Sequence, residues 1–344
     1  MSTPFEALNA DAFTSVIASV VTDNGFLMSI SLRLVCTAWR DELATHTLHS
    51  HTRTLATDAD FACAVALSQK WKWRARGQVA LRPHFVNVLH TLNLRRCTGL
   101  TNIDVLAASS SLRTLNLAHC RGMTNVDAVA AAPVLHMLDL SFCTGLTNVD
   151  ALSATPKLHT LVLAFCKGLT NIDALVAAPA LHTLNLTGCD KLTNLDALAA
   201  APALHTLNLT NCTGLTNLDA LGSAPALHTL DLWGCHNLTN VDALSAAPAL
   251  HTLKLTRCNG LTTIDALAAA PVLHTLSVTS CRWLTNVDAL AAAPKLHTLY
   301  LSFCAHLTNV DALAASLSLN TLDLCCCYGL TNTEALNGVP NLWR

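Results

Sequence analysis

The chain has 344 residues, with 52% hydrophobic residues, 12% charged residues and a formal net charge of −2. This near-neutral charge gives no electrostatic argument for nucleic acid as the main partner, so we predict none. His, Asn, Asp or Pro interrupts the apolar runs of the repeated part well before the roughly 18 residues of a membrane span, so no membrane partner is predicted either.

Residues 1–50 are predicted to form a small all-α segment. Apolar residues recur at helical spacing from Phe13 to Val21, and Val35 and Trp39 share a helical face after a break at residues 23–25. The N-terminus lacks a basic region of the kind that begins a signal peptide. We therefore expect a cytoplasmic or nuclear protein whose fifteen cysteines are reduced.

The sequence Leu34-Val35-Cys36, followed by Ala38-Trp39-Arg40, resembles an F-box. The F-box is the helical module by which substrate receptors of SCF-type ubiquitin ligases dock onto the Skp1 adaptor. The resemblance implies a Skp1-like adaptor as a partner. The residues that it places at the adaptor contact are Leu8, Val16, Ile17, Leu34, Val35 and Trp39. An alternative is that these helices only cap the first repeat, because an uncovered solenoid end would expose leucines.

Residues 51–88 are predicted to be a linker and an N-terminal cap. Within them, residues 70–76 read Lys-Trp-Lys-Trp-Arg-Ala-Arg, an interleaving of basic and aromatic residues that can bind nucleic acid or a membrane surface. We favour a capping helix that packs Trp71 or Trp73 on the first repeat while the basic groups stay solvated.

Residues 89–344 contain eleven copies of a 23-residue unit, the first at Leu89 and the last at Leu319, plus a short end. Apolar residues at unit positions 1, 4, 6, 12, 15 and 18 are typical of a stacked solenoid. Positions 3 to 7 alternate as in a strand, with positions 4 and 6 directed inward, and stacked copies make a parallel sheet.

The second half of each unit predicts a short helix. Thr at position 13 and Asp at position 16 predict a capping box, and Pro at position 22 ends the helix. Gly at position 11, present in seven units, predicts a tight turn with a positive φ.

The pattern L-x-x-L-x-L-x-x-C-x-x-L resembles the leucine-rich repeat, with Cys where many members have Asn. The resemblance implies an α/β solenoid, a curved array with a parallel concave sheet and short convex helices, here preceded by the all-α segment. The concave side of such arrays usually binds the ligand. Eleven strands about 4.8 Å apart would span roughly 50 Å, enough for a monomer to bind a protein over about 800 Å².

Three residue ladders follow from the repeat, and none predicts a metal or a cofactor. Eleven cysteines at position 9 are expected to be buried thiols that fill space and form weak S–H bonds, since zinc needs about four converging ligands. Nine histidines at position 2 are explained by inheritance of the repeat, with metal binding as the less favoured reading. The acids at position 16 fit helix capping better than calcium binding. Cys325 and Cys326 are expected to be partly exposed.

Ligand-binding residues are predicted where the units differ on the strand face, at positions 5, 7 and 8. Most units carry Asn, Thr or Ser there. The residues predicted to bind a protein substrate are Phe142, Val162, Phe165, Trp233, Lys254, Arg257, Tyr300 and Phe303, and Arg95 and Arg96 also stand out. Aromatic and Arg residues are common interface anchors. An equally open alternative is that the position-8 aromatics fold over the edge of the array.

The sequence contains no P-loop, G-x-S-x-G or H-E-x-x-H motif, so no enzymatic activity is predicted. The F-box and leucine-rich-repeat resemblances together imply the substrate-recognition subunit of an SCF-type ubiquitin ligase, which binds an adaptor and a protein substrate whose identity the sequence does not give. The alternative is a binding scaffold with no ubiquitin role.

Overall fold

The computed structural model describes residues 90–101, 103–331 and 333–344. The predicted helical segment 1–50, the predicted cap 51–88 and the implied adaptor-contact residues lie outside the described residues. Those contact residues are Leu8, Val16, Ile17, Leu34, Val35 and Trp39.

The described residues form the predicted α/β solenoid, with one parallel sheet of twelve strands whose order follows the chain. Equivalent positions of successive units pair, so that Leu92 lies opposite Leu115. The strands are β1 (Thr91–Asn93), β2 (Thr114–Asn116), β3 (Met137–Asp139), β4 (Thr160–Val162), β5 (Thr183–Asn185), β6 (Thr206–Asn208), β7 (Thr229–Asp231), β8 (Thr252–Lys254), β9 (Thr275–Ser277), β10 (Thr298–Tyr300), β11 (Thr321–Asp323) and β12 (Asn341–Trp343).

The core follows the predicted apolar positions. Leu230 and Leu232, at positions 4 and 6 of unit 7, are fully buried, whereas Thr229 and Asp231 between and beside them are only partly buried. Because successive side chains of a strand point to opposite faces, this alternation fixes which face of the sheet meets the core. Positions 12, 15 and 18 complete the core beneath the sheet, as Leu238, Val241 and Leu244 do in unit 7.

The predicted helices are five-residue 3-10 helices on the far side of the core from the sheet. They are Asp104–Ala108, Asp127–Ala131, Asp150–Ala154, Asp173–Ala177, Asp196–Ala200, Asp219–Ser223, Asp242–Ala246, Asp265–Ala269, Asp288–Ala292, Asp311–Ala315 and Glu334–Gly338. Each begins at the position-16 acid, which places that acid in the first helical turn, as predicted. No helix in the described part of the chain has the length and apolar character needed to cross a bilayer.

The prediction that Thr at position 13 caps the helix was wrong. The N-cap residue is the apolar residue at position 15, such as Val241, which has no side-chain cap hydrogen bond. Instead the backbone N–H of Asp242 donates to Oδ1 of Asn240, at position 14, over 2.6 Å. The short Asn side chain reaches this N–H because it folds back on its own backbone two residues later. The helix ends as predicted, because Ala247 before Pro248 is extended, with φ −64° and ψ 114°.

The predicted positive φ at position 11 was also wrong. Among the described residues, positive φ values occur at position 8 of all eleven units, in two glycines, Gly188 and Gly234, and in nine other residues. Glycine at position 11 serves close approach instead, since a Cβ on Gly260 would lie 2.4 Å from the backbone oxygen of Leu238 in the preceding unit.

The end of the array departs from the 23-residue period. By that period Leu342 would occupy position 1 of a new unit, but it pairs with Leu322, at position 4 of unit 11. The connection is three residues shorter than in the other units, and it brings β12 into the sheet. The predicted short end is therefore a twelfth strand.

Candidate functional site

The polar residue at position 5 has a structural role in most units. In unit 5, Oδ1 of Asn185 accepts hydrogen bonds from the backbone N–H and the hydroxyl of Thr187, over 2.9 and 2.7 Å. Asn93, Asn116, Asp139, Asn208, Asp231 and Asp323 accept the equivalent backbone N–H. This bond closes the turn that leads into the left-handed residue at position 8. Units 4, 8, 9 and 10 replace the Asn or Asp, and three of the predicted ligand residues stand there: Val162, Lys254 and Tyr300.

The first group of predicted ligand residues lies at the N-terminal half of the array. Phe142 and Phe165, both at position 8, stack with ring centroids 4.6 Å apart, and His119 stacks on Phe142 at 4.3 Å. The Nζ of Lys167 lies 5.8 Å from the Phe165 ring centroid. Three rings therefore form one column along the edge of the sheet, and the half-buried Val162 stands at position 5 of the same unit as Phe165.

The second group lies on units 7 and 8. Lys254 Nζ lies 3.4 Å from Asp231 Oδ2 on the adjacent strand, and the guanidinium of Arg257 lies 5.4 Å from the Trp233 ring centroid. These contacts hold a mixed cationic and aromatic cluster at the carboxyl ends of β7 and β8. The sequence prediction named three of these four residues and missed Asp231, which resembles the ordinary position-5 residue.

The third group lies at the C-terminal end. Tyr300 lies 6.4 Å from the ring of Trp343 on β12, and Phe303 is 52% exposed. Trp343 was missed because the 23-residue period places it outside the strand face. Trp283 and Tyr328, 55% and 82% exposed, were missed because the comparison of units stopped at position 8. The same comparison continued to positions 10 and 11 would have found both.

Position 10 of unit 7 and positions 8 and 10 of units 8 to 11 line an open depression of about 510 Å³. Its lining includes Arg257, Ser280 and Phe303 at position 8, and His236, Arg282 and Tyr328 at position 10. We call these six residues the edge groove. The groove adjoins the second and third groups and shares Arg257 and Phe303 with them.

The cysteine ladder has the predicted structural role. From Cys120 to Cys327 each position-9 thiol donates to the position-6 backbone oxygen of the preceding unit, as Cys235 does to Leu209 over 3.2 Å. Burial raises the pKa of the Cys235 thiol to about 11, which suppresses the reactive thiolate. All thirteen cysteines of the described residues are free, and Cys325 and Cys326 are partly exposed as predicted.

Seven of the histidines form a continuous stack beside the strands. The rings of His159, His182, His205, His228, His251, His274 and His297 lie with adjacent centroids 4.5 to 4.7 Å apart. Each Nδ1 lies 3.3 to 3.4 Å from the hydroxyl of the following Thr. No group of three or more potential metal ligands converges within the described residues.

Burial, followed by the charges of the neighbouring rings, lowers the pKa of His228 and of His274. These two imidazoles therefore resist protonation more than a free histidine does.

No family model matches the sequence, and no curated protein matches it. Among solved structures, the chain is similar to an internalin from Listeria monocytogenes, with a TM-score of 0.51, 18% identity, and coverage of 83% of this chain and 94% of the internalin. A second internalin from that organism, C2, matches with a TM-score of 0.43, 23% identity, and coverage of 53% and 77%. A yeast complex of Rad7 and Elc1 also has a TM-score of 0.43, with 18% identity and coverage of 99% and 98%. The first likeness confirms the predicted leucine-rich-repeat fold, and at this identity it shows the fold alone.

Proposed function

From its leucine-rich-repeat fold we propose that the protein is a protein-interaction module that binds a protein partner on its strand face and catalyses no reaction itself. In the finer form of the proposal it is the substrate-recognition subunit of an SCF-type ubiquitin ligase. Its N-terminal helices would then hold a Skp1-like adaptor while the array presents the substrate. We expect it to act as a monomer in the cytoplasm or the nucleus.

The observation that carries the binding role is that different unit positions of the strand face serve the core, the turn and the outer surface. Positions 4 and 6 are used by the core, and the position-5 Asn or Asp is used by the turn. The outward-facing side chains that break the repeat, notably Trp233, Arg257 and Tyr300, belong neither to the core nor to that turn. Arg and large aromatic residues grouped on a preformed surface are the usual anchors of protein interfaces.

The size of the sheet agrees with such a role. Twelve strands about 4.8 Å apart span roughly 53 Å. A protein partner that covers part of this length can bury the about 800 Å² per side of a standard interface. Contacts between neighbouring repeats hold the backbone of the sheet in place. Outward-facing side chains can therefore vary without changing the backbone, which suits a surface for recognition.

The adaptor half of the proposal rests on the sequence, namely the residues from Leu34 to Arg40 that resemble an F-box. If these helices only cap the array, the protein is a binding scaffold with no ubiquitin role. The two functions differ in one measurable partner, the adaptor.

Co-purification of the full chain with a Skp1-like adaptor separates the two functions. We expect the wild-type protein to retain the adaptor and Trp39→Ala and Val35→Ala to lose most of it. The matched control is Trp283→Ala, which removes an exposed tryptophan from the array. Folded wild-type protein recovered without adaptor would contradict the ubiquitin role, and insolubility of both N-terminal variants would support a cap.

A further inference from the structure

We propose that the edge groove binds an extended acidic segment of a partner protein. The proposal rests on the binding role of the array and is independent of the adaptor. It assigns a binding surface that adjoins the strand face and shares Arg257 and Phe303 with it, and the chemical character of what binds there.

The groove has the shape of a track for an extended chain. Units 8 to 11 each contribute one residue at position 8 and one at position 10, and unit 7 contributes His236 at position 10, so the lining advances by one strand spacing per unit. Four spacings of about 4.8 Å give a length of roughly 19 Å. An extended peptide covers about 3.3 Å per residue, so about six residues fill the groove.

The charges of the array are divided between the edge that carries positions 7 to 11 and the side that carries the 3-10 helices. Of the twelve Lys and Arg residues in the described part of the chain, seven stand at positions 7 to 11, namely Arg95, Arg96, Arg121, Lys167, Lys191, Arg257 and Arg282. One acid, Asp190, stands at those positions, and it pairs with Lys167. Eleven of the fifteen acids instead begin the 3-10 helices. Although the net charge of the chain is −2, the edge formed by positions 7 to 11 is therefore basic.

The two arginines of the groove are available for an anion. Arg257 is exposed and lies against the Trp233 ring, and Arg282 is exposed at position 10 of the next unit. Neither forms a salt bridge with any of the residues that the structure describes. A guanidinium presents paired N–H donors that match a carboxylate in two-point geometry, and packing against an aromatic ring holds it in place.

The groove also has apolar walls. Phe303 is 52% exposed and Tyr328 is 82% exposed, and both rank among the most exposed large apolar side chains of the described residues. Such rings bind the apolar side chains that alternate with the carboxylates of an extended segment. Acidic and apolar residues in alternation are therefore the expected pattern of the bound chain.

A peptide suits the surroundings of the groove better than a nucleic acid strand. Two arginines can neutralise two carboxylates, whereas a single strand of nucleic acid carries one negative charge on every nucleotide. The adjoining strand face places Asp323 at position 5 of unit 11, where a phosphate backbone would be repelled. A short peptide can put its few carboxylates at the arginines alone.

Fluorescence anisotropy with the full chain tests the proposal. The probe is a fluorescein-labelled peptide of about eight residues in which Glu alternates with Leu, long enough to exceed the groove. The matched probe replaces each Glu by Gln, and a labelled thymidine oligonucleotide is the nucleic acid arm. We expect the Glu peptide to bind, more weakly at high salt, and to bind at least about tenfold more tightly than the Gln peptide.

The variants locate the site. The double variant Arg257→Ala with Arg282→Ala should weaken Glu-peptide binding at least about tenfold. The loss of one charge-assisted hydrogen bond is already enough to lower an affinity by about that factor. The control, Lys157→Ala with Lys295→Ala, removes the same charge from exposed position-23 residues outside the groove and should change binding less than about twofold. If the double arginine variant loses its circular dichroism signal, the single variant Arg282→Gln provides the comparison.

Several outcomes would overturn the proposal. They are no binding of the Glu peptide, equal affinity for the Glu and Gln peptides, an equal loss in the lysine control, or binding of the oligonucleotide without the peptide. The test detects peptide directly, so it fails or succeeds whether or not an adaptor co-purifies with the chain.

Discussion

At the scale of single residues, the backbone conformation with the highest cost in the unit is the left-handed one at position 8. Nine units hold a residue other than glycine there with φ between 57° and 68°, including Phe142, Phe165 and Phe303. A left-handed conformation costs an ordinary residue about 1–2 kcal/mol. The position-8 N–H donates to the position-7 oxygen of the next unit, as Arg257 does to Thr279 over 2.9 Å, which helps to offset the cost. Strained backbone therefore recurs in the wall of the edge groove, where binding is proposed.

The variant Gly234→Ala should introduce this strain at position 8 of unit 7, where glycine adopts the left-handed conformation without it. The φ of Gly234 is 75°, and a Cβ there would lie 2.2 Å from Oδ1 of Asn211. We expect the variant to lower the free energy of unfolding by about 1–2 kcal/mol, measured by urea denaturation.

Gly338→Ala is the control for this prediction. A Cβ on Gly338 has no neighbour within 4 Å. Both substitutions restrict the unfolded chain equally, so their difference reports the folded state. We expect the control to be neutral or stabilising by up to about 1 kcal/mol. Equal stability of the two variants would contradict the assignment of strain to position 8.

At the scale of the secondary-structure element, each 3-10 helix depends on its neighbours, because five residues cannot sustain a helix alone. Its start is held by the position-14 side chain in most units, and in unit 8 Thr263 replaces Asn and accepts the N–H of Asp265 through Oγ1 over 3.2 Å. An alcohol and an amide can both accept this bond, so the cap survives the substitution.

Asn240→Ala should therefore destabilise the array, whereas Thr239→Ala should not. The first removes the acceptor of the Asp242 N–H, and losses of this kind cost about 0.5–2 kcal/mol. The second removes an exposed hydroxyl at the position where the sequence predicted the cap. Midpoints of urea denaturation give the comparison. A larger loss with Thr239→Ala would restore the predicted capping box.

The elements that were predictable from the sequence are those that a periodic apolar pattern determines. Leucines at positions 4 and 6 specified the strands and the direction of their side chains, and Pro248 and its equivalents marked the helix ends. The cap partner and the positive φ were mispredicted because Thr239 and Gly260 have residue types that suit those roles, and only the backbone path decides between them and Asn240 or Gly234.

Residues that break the repeat on or just after a strand, such as Tyr300 and Trp233, are visible in the sequence, and their role in binding stays a prediction. The edge groove was not predicted, since its lining combines two positions, 8 and 10, from five units. The strand β12 was missed because a three-residue shortening removes it from the period.

At the scale of the whole molecule, the repeat places identical residues above one another in columns. Such a column connects units that are far apart in the sequence. The histidine stack joins seven units from His159 to His297. In the unfolded chain each imidazole titrates independently near pH 6.5. In the folded chain the lowered pKa of His228 and His274 means that the folded state binds fewer protons than the unfolded state.

Stability should therefore be greatest above the unfolded pKa of about 6.5 and should fall as the pH drops from there toward the folded pKa. We expect a lower melting temperature at pH 5.5 than at pH 7.5, an interval that ends above the usual pKa of the carboxylates at position 16. The variant His228→Asn with His274→Asn should show a smaller difference, because it removes both depressed groups. Asn is a residue that this position accepts, since Asn320 occupies it in unit 11. An equal difference in wild type and variant would place the pH dependence outside the stack.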